Sequence, residues 1–399
     1  MVSAFSVLFA YGFRPFFLLA AGYAMLPMLL WSGFLLGLWD APVGGDPFAW
    51  HMHEMVYGFG GAALAGFLLT AVPEFTDSQP VTGWRLAALV LCWIAARLAV
   101  WNAASLGPWP AAVLSLVSLG WLIALVAPPL WTRAAGRHRA LVYGLAALWL
   151  AEAATFHAWL GGSLPGVAWS TRAGLNTALG LFMILILLVL ARVSMVIVNR
   201  ALEAQGDTGR HYLARPPRRN LAIFAIAVFL ALDVLAPGST LAGWVALAAM
   251  AATLNILNDW HLGRVLREPY VLALYAVLWL MALGFAGIGI DALAGGWLGP
   301  GSRHLLAAGA MGLAVLAVMT IAGQIHTGRE LADTWTIRLA LVAIVLAALA
   351  RALPLWLAPT AYGAIAYGLS GLLWSLGFGL YLVAIGPMLL APRADGEPG

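Results

Sequence analysis

The chain has 399 residues, of which 63% are hydrophobic and only 9% are charged, and its mean hydropathy is +0.94. This composition lies far outside that of water-soluble domains, so the sequence excludes a soluble enzyme and indicates an integral membrane protein. The net charge of +4 is spread over many connections, which leaves no basic domain that could bind nucleic acid. A single cysteine, Cys92, excludes an internal disulfide, and the absence of a CxxCH motif excludes covalent attachment of haem.

Apolar runs fill most of the chain, each long enough, at roughly 20 residues, to cross a hydrocarbon core about 30 Å thick. Because lipid does not tolerate unpaired backbone groups, and because these runs lack the alternation of barrel strands, we predict that they are helices. The predicted fold is an all-α polytopic membrane protein, one membrane domain over residues 1–399 with about twelve transmembrane helices. The predicted spans are 16–38, 50–73, 84–104, 109–131, 140–160, 174–198, 220–236, 239–259, 270–290, 303–324, 337–353 and 362–391.

The arginines predict the orientation. Connections on one side of the membrane carry most of them, whereas those on the other side carry only Arg172 and Arg303. By the positive-inside rule the first side is cytoplasmic, and both termini lie there. The arginines on this predicted cytoplasmic side are Arg14, Arg85, Arg133, Arg137, Arg139, Arg200, Arg210, Arg215, Arg218, Arg219, Arg264, Arg267, Arg329 and Arg393.

The longest predicted connection, residues 199–219, divides the chain into six-helix halves at 1–198 and 220–391. Gly206, Gly209 and the Pro216–Pro217 pair disfavour a packed element there, so we expect a solvated cytoplasmic linker. No strong internal repeat relates the two halves.

The second predicted helix opens with two histidines and a glutamate, His51, His53 and Glu54. At 100° per residue His51 shares a stripe with Met55 and then with small residues, Gly58 and Ala62, while His53 points away from it. The two histidines therefore serve two neighbouring sites, or one is a ligand and the other has a polar partner. The small-residue stripe admits either a flat macrocycle or a closely packed helix, and an interfacial histidine above an ordinary packing face is the plainer interpretation.

The predicted topology places four of the eight histidines in one layer near the outer boundary: His51, His53, His157 and His304. Neutral imidazole is the commonest protein ligand of copper and haem iron, and the thioether of a methionine such as Met55 suits Cu(I) or haem iron. Although a single histidine in a helix is usually a satisfied polar contact, four in one layer favour a metal site.

His326 lies at the predicted cytoplasmic end of the tenth helix. It follows His304 by 22 residues, which is about 33 Å along a straight helix, so the two cannot share one metal ion or one haem. We expect His326 to pair with Glu330, to bind a second cofactor, or simply to end the helix.

Five further charged residues fall within the predicted spans: Arg97, Glu152, Arg192, Asp233 and Arg351. Charges at membrane depth are costly unless they are paired or face a cavity, so these residues are candidates for a proton path, a substrate site or anchors of haem propionates. The alternative for Arg192 and Arg351, which lie near helix ends, is that they extend to the membrane surface.

Four segments together resemble the NnrS family, over a stretch from Arg14 to about Leu331: "YGFRPFFLLA", "WHMHEMVYGFGGAALAGFLLTAVPEFTD", "RRNLAIF" and "MGLAVLAVMTIAGQIHTGREL". The resemblance implies a twelve-helix protein of the bacterial inner membrane that carries haem and copper and acts in nitric oxide metabolism or resistance to nitrosative stress. The family-like positions are Arg14, Pro15, His51, His53, Glu54, Met55, His157, His304, His326, Gly328 and Arg329. Two positions depart from the family pattern: Tyr275 stands where a histidine is expected, and residues 191–195 read ARVSM in place of a GRVIP-like segment.

The resemblance and the histidine layer together predict a non-covalent haem b, with copper as a further candidate metal, near the outer face. His51 or His53 would be one axial ligand and His304 or His157 the other, with Arg14 and Glu54 also at the cofactor. Met55 and His326 complete the candidate metal ligands. The expected ligand is nitric oxide or another small diatomic molecule, and the sequence identifies neither a redox partner nor a reaction.

Two other functions compete with this interpretation. Twelve helices in two halves, with charged residues inside the spans, also suit a secondary transporter of a small anion or a metal. A membrane assembly factor for metal enzymes is the third possibility, and it would bind metal or haem only transiently.

Overall fold

The computed structural model describes residues 4–132, 136–164, 166–167, 169–358 and 363–397. Within these ranges the chain forms twelve long helices and no β-strand, which confirms the predicted all-α polytopic membrane fold. We label the helices α1 to α12; the predicted cytoplasmic Arg133 falls outside the described residues. Their bounds are Phe13–Leu35, Pro47–Thr76, Gly83–Trp101, Pro108–Leu130, Arg139–Trp159, Thr171–Ala204, Pro216–Leu235, Thr240–Ile256, Pro269–Ala294, Leu298–Ile325, Trp335–Leu357 and Gly363–Leu389.

Eleven helices in the described part of the chain are long and apolar enough to cross a membrane. The twelfth, α7, does not meet that standard because its 20 residues include Arg218, Arg219 and Asp233. Two of these charges lie in its first turn, and the third lies near its other end. The charges therefore flank an apolar middle.

Helices α2 and α10 form the centre of the bundle. Of the most apolar 18 residues of each, 83% are buried in α2 and 78% in α10, against 39% to 67% in the other spans. Around them the first and last helices meet, because α12 packs along α1. Arg14 of α1 donates to the carbonyls of Leu389 and Ala391 at distances of 2.8 and 2.7 Å, and so caps the end of α12.

The two central helices share a local irregularity. Each begins with seven residues of α-helix, Pro47–His53 or Leu298–His304, and continues with seven residues of π-helix, Glu54–Gly60 or Leu305–Met311. A π-helical turn contains an extra residue and is common at functional sites. In both helices the change of geometry comes directly after a histidine.

The connection between the halves is shorter and more ordered than predicted. Helix α6 continues to Ala204 and α7 begins at Pro216, so the irregular stretch is 205–215. The expectation of a solvated linker is wrong at Tyr212, which is only 4% exposed. Its backbone N–H donates to the side-chain oxygen of Asn199 at 2.7 Å, and its carbonyl accepts from the amide of Asn199 at 3.1 Å.

Candidate functional site

A cavity of about 670 Å³ lies at the end of the bundle where α2 and α10 begin. Its walls come from α1, α2 and α6 to α12, so both halves of the chain contribute. One histidine of each central helix lines it, His51 of α2 and His304 of α10. Most of the remaining wall is apolar, and it includes the methionines Met52, Met55 and Met311.

His51 is held by stacking. Its ring lies parallel to that of Trp31, with a centroid distance of 4.4 Å and an interplanar angle of 5°. Its Nδ1 is buried and has no hydrogen-bond partner among the described residues. A buried imidazole nitrogen without a partner is unfavourable, because the nitrogen has lost water without replacing it. His51 thus has an unpartnered ring nitrogen at the wall of the cavity.

His304 is held by a hydrogen bond. Its Nδ1 lies 2.7 Å from the carbonyl oxygen of Pro300, one turn earlier in the same helix. Because a carbonyl can only accept, Nδ1 carries the proton, and in the neutral ring Nε2 then has a free lone pair. Ligand histidines of metal sites are commonly oriented in this way.

The charged side chains in the cavity wall are three arginines and two aspartates: Arg172, Arg303, Arg351, Asp233 and Asp291. Arg303 lies 3.2 Å from Asp233, and Asp291 accepts from the backbone N–H of Leu298 at 2.7 Å. Both carboxylates thus have partners within the protein.

Arg351 is only partly paired. Its guanidinium lies 4.3 Å from the centre of the Tyr367 ring, a cation–π contact, and its Nη1 is buried with no hydrogen-bond partner among the described residues. Since the cavity wall has one more positive than negative group, it favours an anionic ligand group.

His53 lies in a different environment, away from this cavity. Its Nδ1 is 2.8 Å from Oε1 of Glu54, and that oxygen is 2.6 Å from Nη1 of Arg97. Its Nε2 faces Oε1 of Glu152 at 3.7 Å. All four side chains are buried, so they form a compact network of compensating charges within the first half of the bundle.

Other polar groups complete the network. The hydroxyl of Tyr23 donates to Glu54, and Arg97 donates to Ser115 at 3.0 Å. A small cavity of about 30 Å³ beside Arg97 and Glu152 has room for about two water molecules. Within the described ranges, no group of three or more His, Cys, Asp or Glu side chains could hold a metal ion. His53 therefore has carboxylate partners, but no set of metal ligands around it.

The other predicted site residues lie outside the large cavity. His157 is exposed, with its Nε2 3.3 Å from the carbonyl of Ser163. Arg14 is at the opposite end of α1, where it caps α12. Tyr275, the departure from the family pattern, packs between Trp260 and Trp279 and not against the cavity.

His326 has a different partner from the one predicted. Its Nδ1 is 3.1 Å from Oε1 of Glu74 at the end of α2, and not paired with Glu330. The ring also lies 5.6 Å from that of Phe13. Burial lowers the pKa of His326 more than the Glu74 carboxylate raises it. The two helices that carry His51 and His304 are thus joined again at their other ends.

Two cavity residues, Arg172 and Arg303, were used in the sequence only as indicators of orientation. They are the two arginines of the predicted outer side, in the same layer as His51 and His304. That shared layer was the signal that could have assigned them to the site. Arg192, by contrast, lies far along α6, with its guanidinium 3.8 Å from the centre of the Phe75 ring.

Comparison with known protein families gives one finding. The family described as NnrS protein matches residues 7–393, which is nearly the whole chain. No curated protein matches the chain.

Proposed function

The chain belongs to the NnrS family, whose members have a function related to nitric oxide in the broad sense, and we propose that it binds a non-covalent haem b. The haem would lie in the cavity between His51 and His304. The observation that carries the proposal is that one histidine from each central helix, His51 and His304, lines one large cavity. Its volume, about 670 Å³, is within the roughly 300–1,000 Å³ of sites for drug-sized ligands.

The residues fit the chemistry of a haem in three respects. Imidazole is a normal axial ligand, and both histidines have a ring nitrogen without a protein partner. Apolar side chains and methionines suit the macrocycle, while Arg172, Arg303 and Arg351 suit its propionates, since guanidinium pairs with carboxylate in a bidentate manner.

The two histidines have different roles in this proposal. His304, whose Nδ1–H is held by the Pro300 carbonyl, would hold the haem iron through its other ring nitrogen, because that hydrogen bond fixes the ring and increases its basicity. His51, held only by stacking on Trp31, would offer a hydrogen bond to a small molecule bound at the iron. When bound, the haem supplies an iron centre for nitric oxide or another diatomic molecule.

Copper fits the described residues less well. The resemblance implies it, but His53 is occupied by Glu54 and faces a second carboxylate, and the described residues contain no cluster of three such ligands. We therefore limit the proposal to haem.

Visible spectroscopy of the purified protein tests the proposal. The wild type should show a Soret band, His304→Ala should lose it or change its coordination, and His51→Ala should keep haem but bind nitric oxide or CO with altered affinity. His157→Ala, a histidine outside the cavity, is the matched control and should have the wild-type spectrum. The proposal fails if protein made with ample haem shows no Soret band, or if both cavity variants retain the wild-type spectrum.

An anion transporter is the second candidate, since the cavity wall has an excess of arginine and Arg351 is incompletely paired. Uptake of a small anion into proteoliposomes by haem-free protein, abolished in Arg351→Gln, would favour it over the haem protein.

We also propose that this multi-pass protein lies in the bacterial inner membrane, with the cavity at the outer face and both termini in the cytoplasm. The arginine distribution supports this orientation. In a variant with Cys92 replaced, a cysteine placed in loop 39–49 should react with an impermeant reagent from outside, whereas one at Gly209 should not. The reverse labelling pattern contradicts the orientation.

A further inference from the structure

A second, smaller cavity lies directly beyond the large one. It has a volume of about 70 Å³ and is lined mainly by α2, α6 and α10, three of the helices that line the large cavity. Along α2 the lining passes from Phe59 in the large cavity to Gly60 in the small one, and along α10 from Met311 to Ala314. One to three residues correspond to about 1.5–4.5 Å of helix, so the two cavities are separated by less than one turn.

The walls of the small cavity are entirely apolar. Every lining residue is Ala, Val, Leu, Ile, Met, Phe or Gly, so none offers a side-chain hydrogen bond or a charge. Apolar cavities of this kind stay dry and take up xenon or small hydrocarbons. Its volume of about 70 Å³ is ample for a diatomic or similarly small apolar molecule.

The exposure of the lining residues shows which way the cavity opens. Phe67, Val189, Val315 and Val318 are half-buried, whereas the residues that form its base are buried. These four lie well inside α2, α6 and α10, away from the helix ends. The mouth therefore faces the hydrocarbon region of the membrane, where small apolar solutes concentrate.

Between the two cavities, the backbone of Gly60 lies against the side chains of Met311 and Phe182. A Cβ atom added at Gly60 would collide with the terminal methyl of Met311 and lie 3.0 Å from the Phe182 ring. Because Gly60 has no Cβ, the Met311 methyl and the Phe182 ring can lie against the backbone of α2 at this point. Methionine has three rotatable side-chain bonds, so Met311 can move aside without a change of the backbone.

We infer that the small cavity is the access site through which small apolar diatomic molecules enter from the lipid and pass between Gly60 and Met311 to the large cavity. The claim that the diatomic molecule binds at an iron in the large cavity rests on the proposed haem. The binding of an apolar atom in the small cavity does not depend on haem. The competing occupant is the end of a lipid acyl chain.

Xenon tests the cavity itself. Crystals of the full chain under xenon pressure should show xenon at this position in the wild type. Ala63→Leu should lose it, because Ala63 lines the cavity, is 5% exposed, and would gain three carbon atoms that fill the space. Absence of xenon from the wild type, or acyl-chain density in its place, overturns the inference whether or not the protein carries haem.

Rebinding of CO after flash photolysis of the reduced haem protein tests the path. Gly60→Ala and Ala63→Leu should each lower the second-order association rate about fivefold, which corresponds to raising the barrier by about 1 kcal/mol. Gly61→Ala is the matched control, since a Cβ at Gly61 meets nothing within 4 Å, and its rate should equal that of the wild type.

Unchanged rates in both cavity variants would show that the molecule reaches the large cavity by another way, and would overturn the inference even if haem is bound. If the purified protein contains no haem, only the proposed function is contradicted. The xenon experiment alone then tests whether the small cavity binds small apolar molecules.

Discussion

Replacement of Arg97 by Met is expected to destabilise the protein strongly, because it leaves the carboxylate of Glu54 buried without its counter-charge. The two side chains are 6% and 0% exposed and approach to 2.6 Å, and Arg97 also donates to Ser115 at 3.0 Å. Breaking one side of a buried ion pair typically costs about 3–5 kcal/mol. Since Glu54 keeps bonds from His53 and the Tyr23 hydroxyl, we expect the lower end, about 3 kcal/mol.

Reversible unfolding in detergent measures this loss, and a double variant separates its causes. In Glu54→Gln/Arg97→Met both charges are gone, so most of the stability should return, with a coupling energy of about 2–3 kcal/mol between the two sites. Arg210→Met is the control, because Arg210 pairs with Asp207 at 2.5 Å but is 53% exposed, and it should change stability by less than about 1 kcal/mol. If Arg97→Met costs no more than the control, or if the double variant is as unstable as the single one, the network does not stabilise the fold through charge compensation.

Three further predictions concern the ends of the bundle. Arg14→Gln should loosen the end of α12, since two charge-assisted hydrogen bonds of about 1.5–3 kcal/mol each are lost, and hydrogen exchange should become faster at residues 385–391 and not in α11. Asn199→Ala removes both hydrogen bonds to the backbone of Tyr212 and should make residues 205–215 susceptible to limited proteolysis, whereas equal cleavage of both proteins would contradict the clamp. The lowered pKa of His326 means that the folded state favours the neutral ring, so stability should decline as the pH falls below the unfolded value of about 6.5. Melting curves between about pH 5 and 7.5 should show a weaker decline in His326→Gln than in the wild type, and identical slopes would exclude a contribution from His326 and Glu74.

The sequence predicted the helices well because lipid imposes so strong a constraint on the backbone. In lipid, the backbone N–H and C=O groups of a run of about 20 apolar residues find no water to bond to. Such a run therefore forms a helix, which pairs these groups with each other, whatever its neighbours are. The ends are less constrained: α6 continues to Ala204 beyond the predicted 198, and Asn199 in this extra stretch bonds to the backbone of Tyr212 in the following connection. Regular periodicity also separated the directions of His51 and His53, which lie on different sides of α2.

Features that depend on other helices could not be read from the sequence. The π-helical segment after His53 places Phe59 in the cavity wall, and Gly58 packs instead beside Tyr23. The regular 100° per residue of an α-helix predicted Gly58 below His51, because it does not include the change of direction that a π-helical turn causes. The partner of His326 is likewise distant in sequence, because α2 and α10 come together only in the folded bundle.

The contact between α1 and α12 has a consequence for biosynthesis. Tyr367 and Trp374 of α12 form part of the large cavity wall, and Trp374 donates to the Ala24 carbonyl of α1 at 2.9 Å. While the ribosome is still making α12, that side of the cavity has no wall, even though both histidines are already in the membrane. Because α12 is translated after both helices that carry these histidines, its docking closes the cavity, which until then is open to a large ligand from the side. Chains arrested after α11 should accordingly exchange a ligand of the cavity faster than chains that include α12, and equal exchange would show that the cavity is loaded through its other end.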